Sequence, residues 1–210
     1  MTCFERGKTP KLTPVQREVL VGILLGDASL RTDTKGRRYR LQISQSERHK
    51  EYLFHLYEIY KNLTLSPPTQ FSFDDPRSPG KTYVRWTFST TQQPCFRFYG
   101  QQFYSKEGRK KCPRIIEKLL TPRSIAYWYM DDGAQKWKER SKGVRLCTYN
   151  FSRAECCWLM DCLQRKYELQ VSLQRKGAGY RIYISTHSYL KLRQTVFPFL
   201  IPSMVCKFPK

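Results

Sequence analysis

The sequence predicts an α+β protein built from two copies of one unit, and three observations lead there. Two nine-residue strings, Leu20 to Ala28 (LVGILLGDA) and Ile125 to Gly133 (IAYWYMDDG), stand half a chain apart in 210 residues, and each ends in an acidic residue followed by a tiny one. Each is preceded by the same Leu-Thr-Pro opening, at Leu12 and at Leu120. Each is followed by residues that match in order: Arg40 and Leu41 with Arg145 and Leu146, then Arg85, Ser89 and Thr90 with Arg181, Ser185 and Thr186, then Lys111 and Pro113 with Lys207 and Pro209. A nine-residue excess near FDDPRSPGK in the first half accounts for the change of spacing. Similarity that runs through the whole chain in this way marks an internal duplication.

Each element has a counterpart. Thr13 is a helix cap and Pro14 suits the first helical position, which predicts a helix from Pro14 to Asp27; Thr121 and Pro122 predict another that ends at Asp132. Gly22 and Gly26, four apart, leave room for a neighbouring backbone, whereas the second helix has Tyr127 and Asp131 at the matching places. Large-into-small packing is expected, with Tyr127 or Tyr129 beside the glycines. A basic loop then leads to a strand, 38–45 and 144–150, and to a helix, 47–62 and 152–167. The helices carry Leu53, Leu56, Tyr57 and Tyr60, and Cys156, Leu159, Met160 and Leu163, in the i, i+3, i+4, i+7 rhythm. Two more strands follow in each half (69–73 and 83–90; 169–175 and 180–186), then a last helix (93–104; 187–196). The halves are expected at 1–104 and 119–210, with 105–118 as linker.

Composition bounds the partner. Thirty-eight Lys and Arg against 17 Asp and Glu give a net charge of +21, spread along the chain rather than held in one tail, while 40% apolar residues exclude general disorder. A folded, strongly cationic chain of this kind points to a polyanion, nucleic acid above all, although a basic ribosomal or structural protein would share the charge. The eight cysteines follow no disulfide framework, no C-x-x-C pair exists, and the three histidines add little to a zinc site, so free thiols in a reducing compartment are expected. The longest apolar run, Val19 to Leu25, is too short to span a bilayer, and Met1 to Lys11 lacks an apolar signal core, so no membrane partner is expected.

Alternation sorts the strand side chains onto two faces. Tyr39, Leu41 and Ile43 oppose Arg38, Arg40, Gln42 and Ser44; Val84, Trp86 and Phe88 oppose Tyr83, Arg85, Thr87 and Ser89; Leu169, Val171 and Leu173 oppose Gln170, Ser172, Gln174 and Lys176. One face suits helices. The other suits base edges and phosphates, which makes Arg38, Arg40, Gln42, Arg85, Gln170, Gln174, Arg181 and Tyr183 the expected DNA-binding set. Alternation alone does not orient Arg145.

The sharpest chemistry lies at Asp27 and Asp132. A helix C-terminus disfavours an anion, so a carboxylate there calls for something positive nearby. If the two helices pack side by side, both acids converge, and divalent cations with phosphate oxygens would relieve the repulsion. An isolated helix-ending Asp beside Gly or Ala would be an ordinary cap; recurrence within a longer repeat argues otherwise.

The paired strings resemble the signature of the LAGLIDADG homing endonucleases, of the single-chain, double-motif type encoded in organellar group I introns. The resemblance extends from about Leu12 to Lys207 and includes the Lys-Cys-Pro segment at Lys111 and the ending IPSMVCKFP. It implies two pseudo-twofold-related αββαββα halves, motif helices packed at the centre, and two four-stranded antiparallel sheets forming a saddle over DNA. It implies a monomer that makes a double-strand break with short 3′ overhangs at a long asymmetric target in double-stranded DNA, and a chloroplast or mitochondrial home. By the same resemblance Asp27 and Asp132, with the backbone of Ala28 and Gly133, would bind Mg²⁺; Mn²⁺ would substitute and Ca²⁺ would support binding without cleavage. Lys111, Lys207 and Gln42 would complete the catalytic set, while Asp131 is the less expected ligand. Gln42 is matched by Cys147, so the two halves are expected to differ in rate. An RNA maturase acting on its own intron RNA is the alternative; a non-catalytic regulator should have lost one of the acids.

Overall fold

Thr13 and Thr121 each close a reciprocal cap. The Thr13 hydroxyl accepts from the Gln16 N–H at 3.1 Å while the Thr13 N–H donates to Gln16 Oε1 at 3.0 Å, and Thr121 exchanges the same pair of bonds with Ser124. These caps start α1 (Pro14–Leu25) and α5 (Pro122–Asp132). The structure is a computed structural model and describes residues 10–74, 76, 80–137 and 140–209. Cys3 and most of the Met1 to Lys11 stretch lie outside these residues.

The first half continues through β1 (Ser29–Arg31), β2 (Arg40–Ser46), α2 (Lys50–Tyr60), β3 (Thr69–Asp74), β4 (Thr82–Ser89) and α3 (Arg97–Phe103). After the one-turn α4 (Ile116–Leu119), the second half runs through α5, β5 (Gly133–Gln135), β6 (Val144–Cys147), α6 (Arg153–Tyr167), β7 (Val171–Lys176), β8 (Gly179–Ile184) and α7 (Tyr189–Val196). Two antiparallel four-stranded sheets result, ordered β1-β2-β4-β3 and β5-β6-β8-β7. The strand in each half that periodicity did not predict is the three-residue β1 or β5, too short to display alternation. β6 stops three residues before its predicted end, because the chain turns where the Phe151 N–H donates to the Thr148 carbonyl.

Helices α1 and α5 form the most extensive helix pair and the centre of the core. Val19 to Leu25 are all buried, as are Ser124 to Met130, so these helices are covered all round rather than amphipathic. Each fully buried Leu or Ile contributes roughly 1.5–3 kcal/mol. The expected large-into-small contact is present: a Cβ added to Gly22 would lie 2.4 Å from the Ser124 carbonyl oxygen and 2.8 Å from Tyr127 Cβ, and one on Gly26 would lie 2.5 Å from the Asp131 Cβ. An Arg123–Glu18 ion pair at 3.1 Å ties the same two helices at their N-terminal ends.

One face of each sheet packs on helices. Leu41, Ile43 and Phe88 in the first sheet, and Val144, Leu146, Ile182 and Ile184 in the second, are buried there. The opposite face keeps the polar and cationic side chains. Among the described residues no helix is long and apolar enough to cross a membrane, and the seven described cysteines are unpaired.

Candidate active site and nucleic-acid interface

Helix α1 ends at Leu25, two residues before its acid. Gly26 leaves helical geometry at φ −92° and ψ −132°, and the chain turns so that Asp27 projects exposed from the helix end. The Asp27 N–H, which the turn frees, donates to Asp131 Oδ2 at 3.1 Å, a bond across the helix pair. Helix α5 continues through Asp132, and the Gly133 N–H caps it on the Tyr129 carbonyl.

The positive charge that a helix-ending carboxylate calls for comes from two lysines. Lys110 Nζ donates to the carbonyls of Gly26 at 2.6 Å and Ala28 at 3.0 Å, at the end of α1. Lys207 Nζ donates to the carbonyls of Met130 and of Asp131, the latter at 3.0 Å, at the end of α5. Each ammonium therefore sits on the negative end of a helix dipole beside the acids. Burial lowers the pKa of both lysines, and the carboxylates of Asp27, Asp131 and Asp132 work against that lowering.

The acids carry the opposite burden. Burial pushes Asp132 up to about 7, with the charge of Asp27 adding to the rise and Lys110 and Lys207 opposing it. Burial also raises Asp131 well above the usual carboxylate range, again with Asp27 adding to it. The Tyr52 hydroxyl, fully buried, lies beside Asp131 short of hydrogen-bond geometry and is itself raised by burial and by that carboxylate. Three carboxylates and two ammoniums thus gather around the ends of α1 and α5.

Two expected residues are corrected. Lys111 does not reach this cluster: the residue related to Lys207 is Lys110, while Lys111 holds the Phe103 carbonyl through its backbone N–H and lines a surface groove with Arg31, Arg37 and Arg40. Matching the prolines across the repeat set the lysines one residue out of register. Among the described residues Gln42 makes no hydrogen bond to this cluster. Gln42 lies between Ser29 and Ser89 on the open face of the first sheet, whereas Gln45 turns inward and its Nε2 approaches Asp27 Oδ2 at 3.3 Å and Asp131 Oδ1 at 3.5 Å. Strand parity carried the signal for Gln45. It shares the buried side of β2 with Leu41 and Ile43, where a polar amide needs a partner. His49, at the start of α2, carries no motif that marks it in the sequence; it is half-buried, and its pKa is lowered by burial and by Lys207 and Arg48, with Asp27 pulling the other way.

The open faces hold most of the expected DNA-binding residues. Arg85 pairs in register with Ser46 and Phe71, Arg181 with Cys147 and Gln174, and Tyr183 with Arg145 and Ser172, which orients Arg145 outward as well. Gln170 is exposed just before β7, and Arg38 is exposed in the loop before β2. Arg40 meets Asp33 at 3.7 Å, a contact between exposed side chains that an incoming phosphate can displace. Of the backbone groups, the Ala28 carbonyl already accepts from Lys110.

Residues 17–192 match the model of the LAGLIDADG DNA endonuclease family. The chain belongs to that family. It is 35% identical over 207 residues to the DNA endonuclease I-ChuI of Chlamydomonas applanata, covering 92% of this chain and 94% of that protein. It is 32% identical over 196 residues to the cytochrome b mRNA maturase bI2 of Debaryomyces hansenii, covering 90% and 72%. Among solved structures, the homing endonuclease I-WcaI bound to its DNA recognition sequence superposes with a TM-score of 0.88 at 27% identity, over 94% of this chain and 87% of that one. This LAGLIDADG protein accordingly has the α+β architecture of two antiparallel four-stranded sheets joined through a central helix pair.

Proposed function

We propose that this LAGLIDADG chain is a site-specific DNA endonuclease that makes a double-strand break with short 3′ overhangs at a long asymmetric target, and thereby promotes homing of its intron. One observation carries the reading: Asp27 and Asp132 both emerge at the ends of a buried helix pair, close enough for the charge of Asp27 to add to the rise at Asp132. A protein that only bound nucleic acid would have no use for that repulsion.

The donor set fits a divalent cation of the Mg²⁺ type. Asp27 and Asp132 offer hard oxygens, with the Ala28 and Gly133 carbonyls beside them, and phosphate oxygens and water would fill the remaining positions. Mn²⁺ would replace Mg²⁺, and Ca²⁺ would support binding without cleavage. When bound, the ion supplies a lowered pKa for water and neutralises charge on the phosphate. The chain's own groups do the positioning. Asp131 holds the Asp27 backbone, Gln45 orients the Asp27 carboxylate, and Lys110 and Lys207 hold positive charge at the helix ends beside the acids.

Residues 1–104 and 119–210 form the two halves of one monomer, with 105–118 joining them, and each half serves one strand. An organellar site of action, chloroplast or mitochondrion, accompanies this reading. The second reading, an RNA maturase acting on its own intron, is favoured by the likeness to the bI2 maturase.

The test is cleavage of a randomised DNA library with Mg²⁺, with binding to any selected site checked in Ca²⁺. The endonuclease reading expects one long sequence to be cut by the native chain, and to be bound but not broken on both strands by Asp27→Asn and by Asp132→Asn. Binding of structured intron RNA without any DNA cleavage would transfer the function to the maturase reading.

A further inference from the structure

We propose that Phe71, Phe73 and Tyr83 form an apolar reading surface that recognises thymine 5-methyl groups in the major groove, in only one arm of the target. The inference rests on the endonuclease reading and adds to it a chemical preference of one half.

The pairing register places these rings. Residues paired across antiparallel strands point to the same face, and Phe71 pairs with Arg85 while Phe73 pairs with Tyr83. The three aromatics therefore share the face of Arg85 and Thr87, not the face of Trp86 and Phe88 that packs on α2. They are in contact with one another: the Phe71 and Phe73 ring centroids are 6.0 Å apart, and Phe73 stacks on Tyr83 at 5.9 Å. Phe71 is 44% exposed and Tyr83 40%. Among the described residues no helix covers them.

Two features commit the patch to duplex DNA. The guanidinium of Arg85 lies 4.8 Å from the Phe73 ring centre, so the aromatic surface is continuous with a cation on the face already assigned to DNA. Its position, at the end of the first sheet away from the paired acids, corresponds to base pairs remote from the scissile bonds. In the major groove only thymine among the four bases presents a methyl group, and Phe side chains are suited to contact it. The second sheet differs. At the matching positions Gln174 stands beside Arg181 and Lys176 beside Gly179, and the exposed rings Tyr149, against Arg181, and Trp137 lie in loops outside the paired strands. The methyl preference is accordingly confined to the arm read by the first half.

The test uses the full chain and the target selected by cleavage. The arm read by each sheet is assigned from the base preferences that change in Arg85→Ala and in Arg181→Ala. All thymines of one arm are then replaced by deoxyuridine, which removes the methyl and leaves the pairing edge intact, and binding is measured in Ca²⁺. In the first arm the expected loss is about fourfold per contacted methyl, with far less in the second. Phe71→Ser should abolish the difference between thymine and uracil, and Phe71→Leu, still apolar, should keep part of it. A first arm without thymine, equal losses in both arms, or full discrimination in a folded Phe71→Ser variant would overturn the proposal. So would a Phe71→Ser variant that loses intron RNA binding while its thymine discrimination is intact, because the rings would then be stacking unpaired bases. A chain that selects no DNA target at all defeats the endonuclease reading itself, at the first step, before any uracil is introduced.

Discussion

The first and second halves carry the same elements in the same order, yet they surround their acids differently. Asp27 stands exposed beyond a helix that ends early, with its N–H held by Asp131 and its carboxylate approached by Gln45. Asp132 belongs to the last turn of its own helix, is more deeply buried, and among the described residues receives no side-chain hydrogen bond. The inward positions of the second hairpin run Val144, Leu146 and Thr148, and the Thr148 hydroxyl is already used on the Tyr180 carbonyl. Outward, Cys147 lies beside Arg181. Duplication has conserved the backbone frame and the helix-capping lysines, while the groups that tune each acid have diverged. One site thus has two unlike centres.

The largest effect should come from the acids themselves. Asp27→Asn and Asp132→Asn should each reduce double-strand cleavage by roughly a hundred- to a thousandfold, as expected when a group that stabilises transition-state charge is lost. If the halves act as separate centres, each variant should leave a nicked duplex, and end-labelled substrate will show which strand survives. Loss of both cuts in both variants would mean that the centres share an indispensable ion.

Next comes the helix interface. Gly22→Ala would drive a Cβ to 2.4 Å from the Ser124 carbonyl oxygen, which is backbone and cannot yield, whereas Gly26→Ala meets the Asp131 side chain. Both should destabilise by about 1–3 kcal/mol in denaturant unfolding, with Gly22→Ala the worse. Gly26→Ala should also slow cleavage more than its stability loss explains, because it displaces the carboxylate that anchors Asp27. Equal effects on the two readouts would reduce Asp131 to a packing role.

A smaller effect separates the halves directly. Gln45→Ala should slow cutting of the strand served by Asp27 roughly two- to tenfold, the worth of one hydrogen bond, and spare the other strand. Equal slowing of both strands in a nicking assay would remove Gln45 from the first centre.

The smallest effect concerns His55, which meets the Tyr127 hydroxyl at 2.6 Å across the interface of α2 and α5. Burial lowers the His55 pKa below its ordinary 6.5. The folded chain therefore refuses a proton that the unfolded chain accepts, so stability is full above about pH 6.5 and declines as the pH falls below it. Unfolding of the native chain and of His55→Gln, compared between pH 7.5 and 5.5, should show the steeper decline in the native chain; parallel curves would contradict it.

How far the sequence could be read follows from the range of the interactions involved. Caps such as Thr13 and Thr121, the helical rhythm of α2 and α6, strand alternation and the recurring acids are written in near neighbours, so they determine both the duplicated α+β plan and the pair Asp27 and Asp132. The three-residue strands β1 and β5 were not legible, because three residues display no period; they exist because a longer strand pairs with them. Lys110 rather than Lys111 faces the acids because adjacent residues of like chemistry differ only in the direction in which the folded backbone points them, whereas Gln45 rather than Gln42 follows from strand parity, with the acids as its partner supplied by the fold. The contact of Asp131 with Gly26 belongs to the same class. It depends on two helices half a chain apart in sequence approaching until a missing Cβ leaves room for a carboxylate, and only the tertiary structure brings those surfaces together.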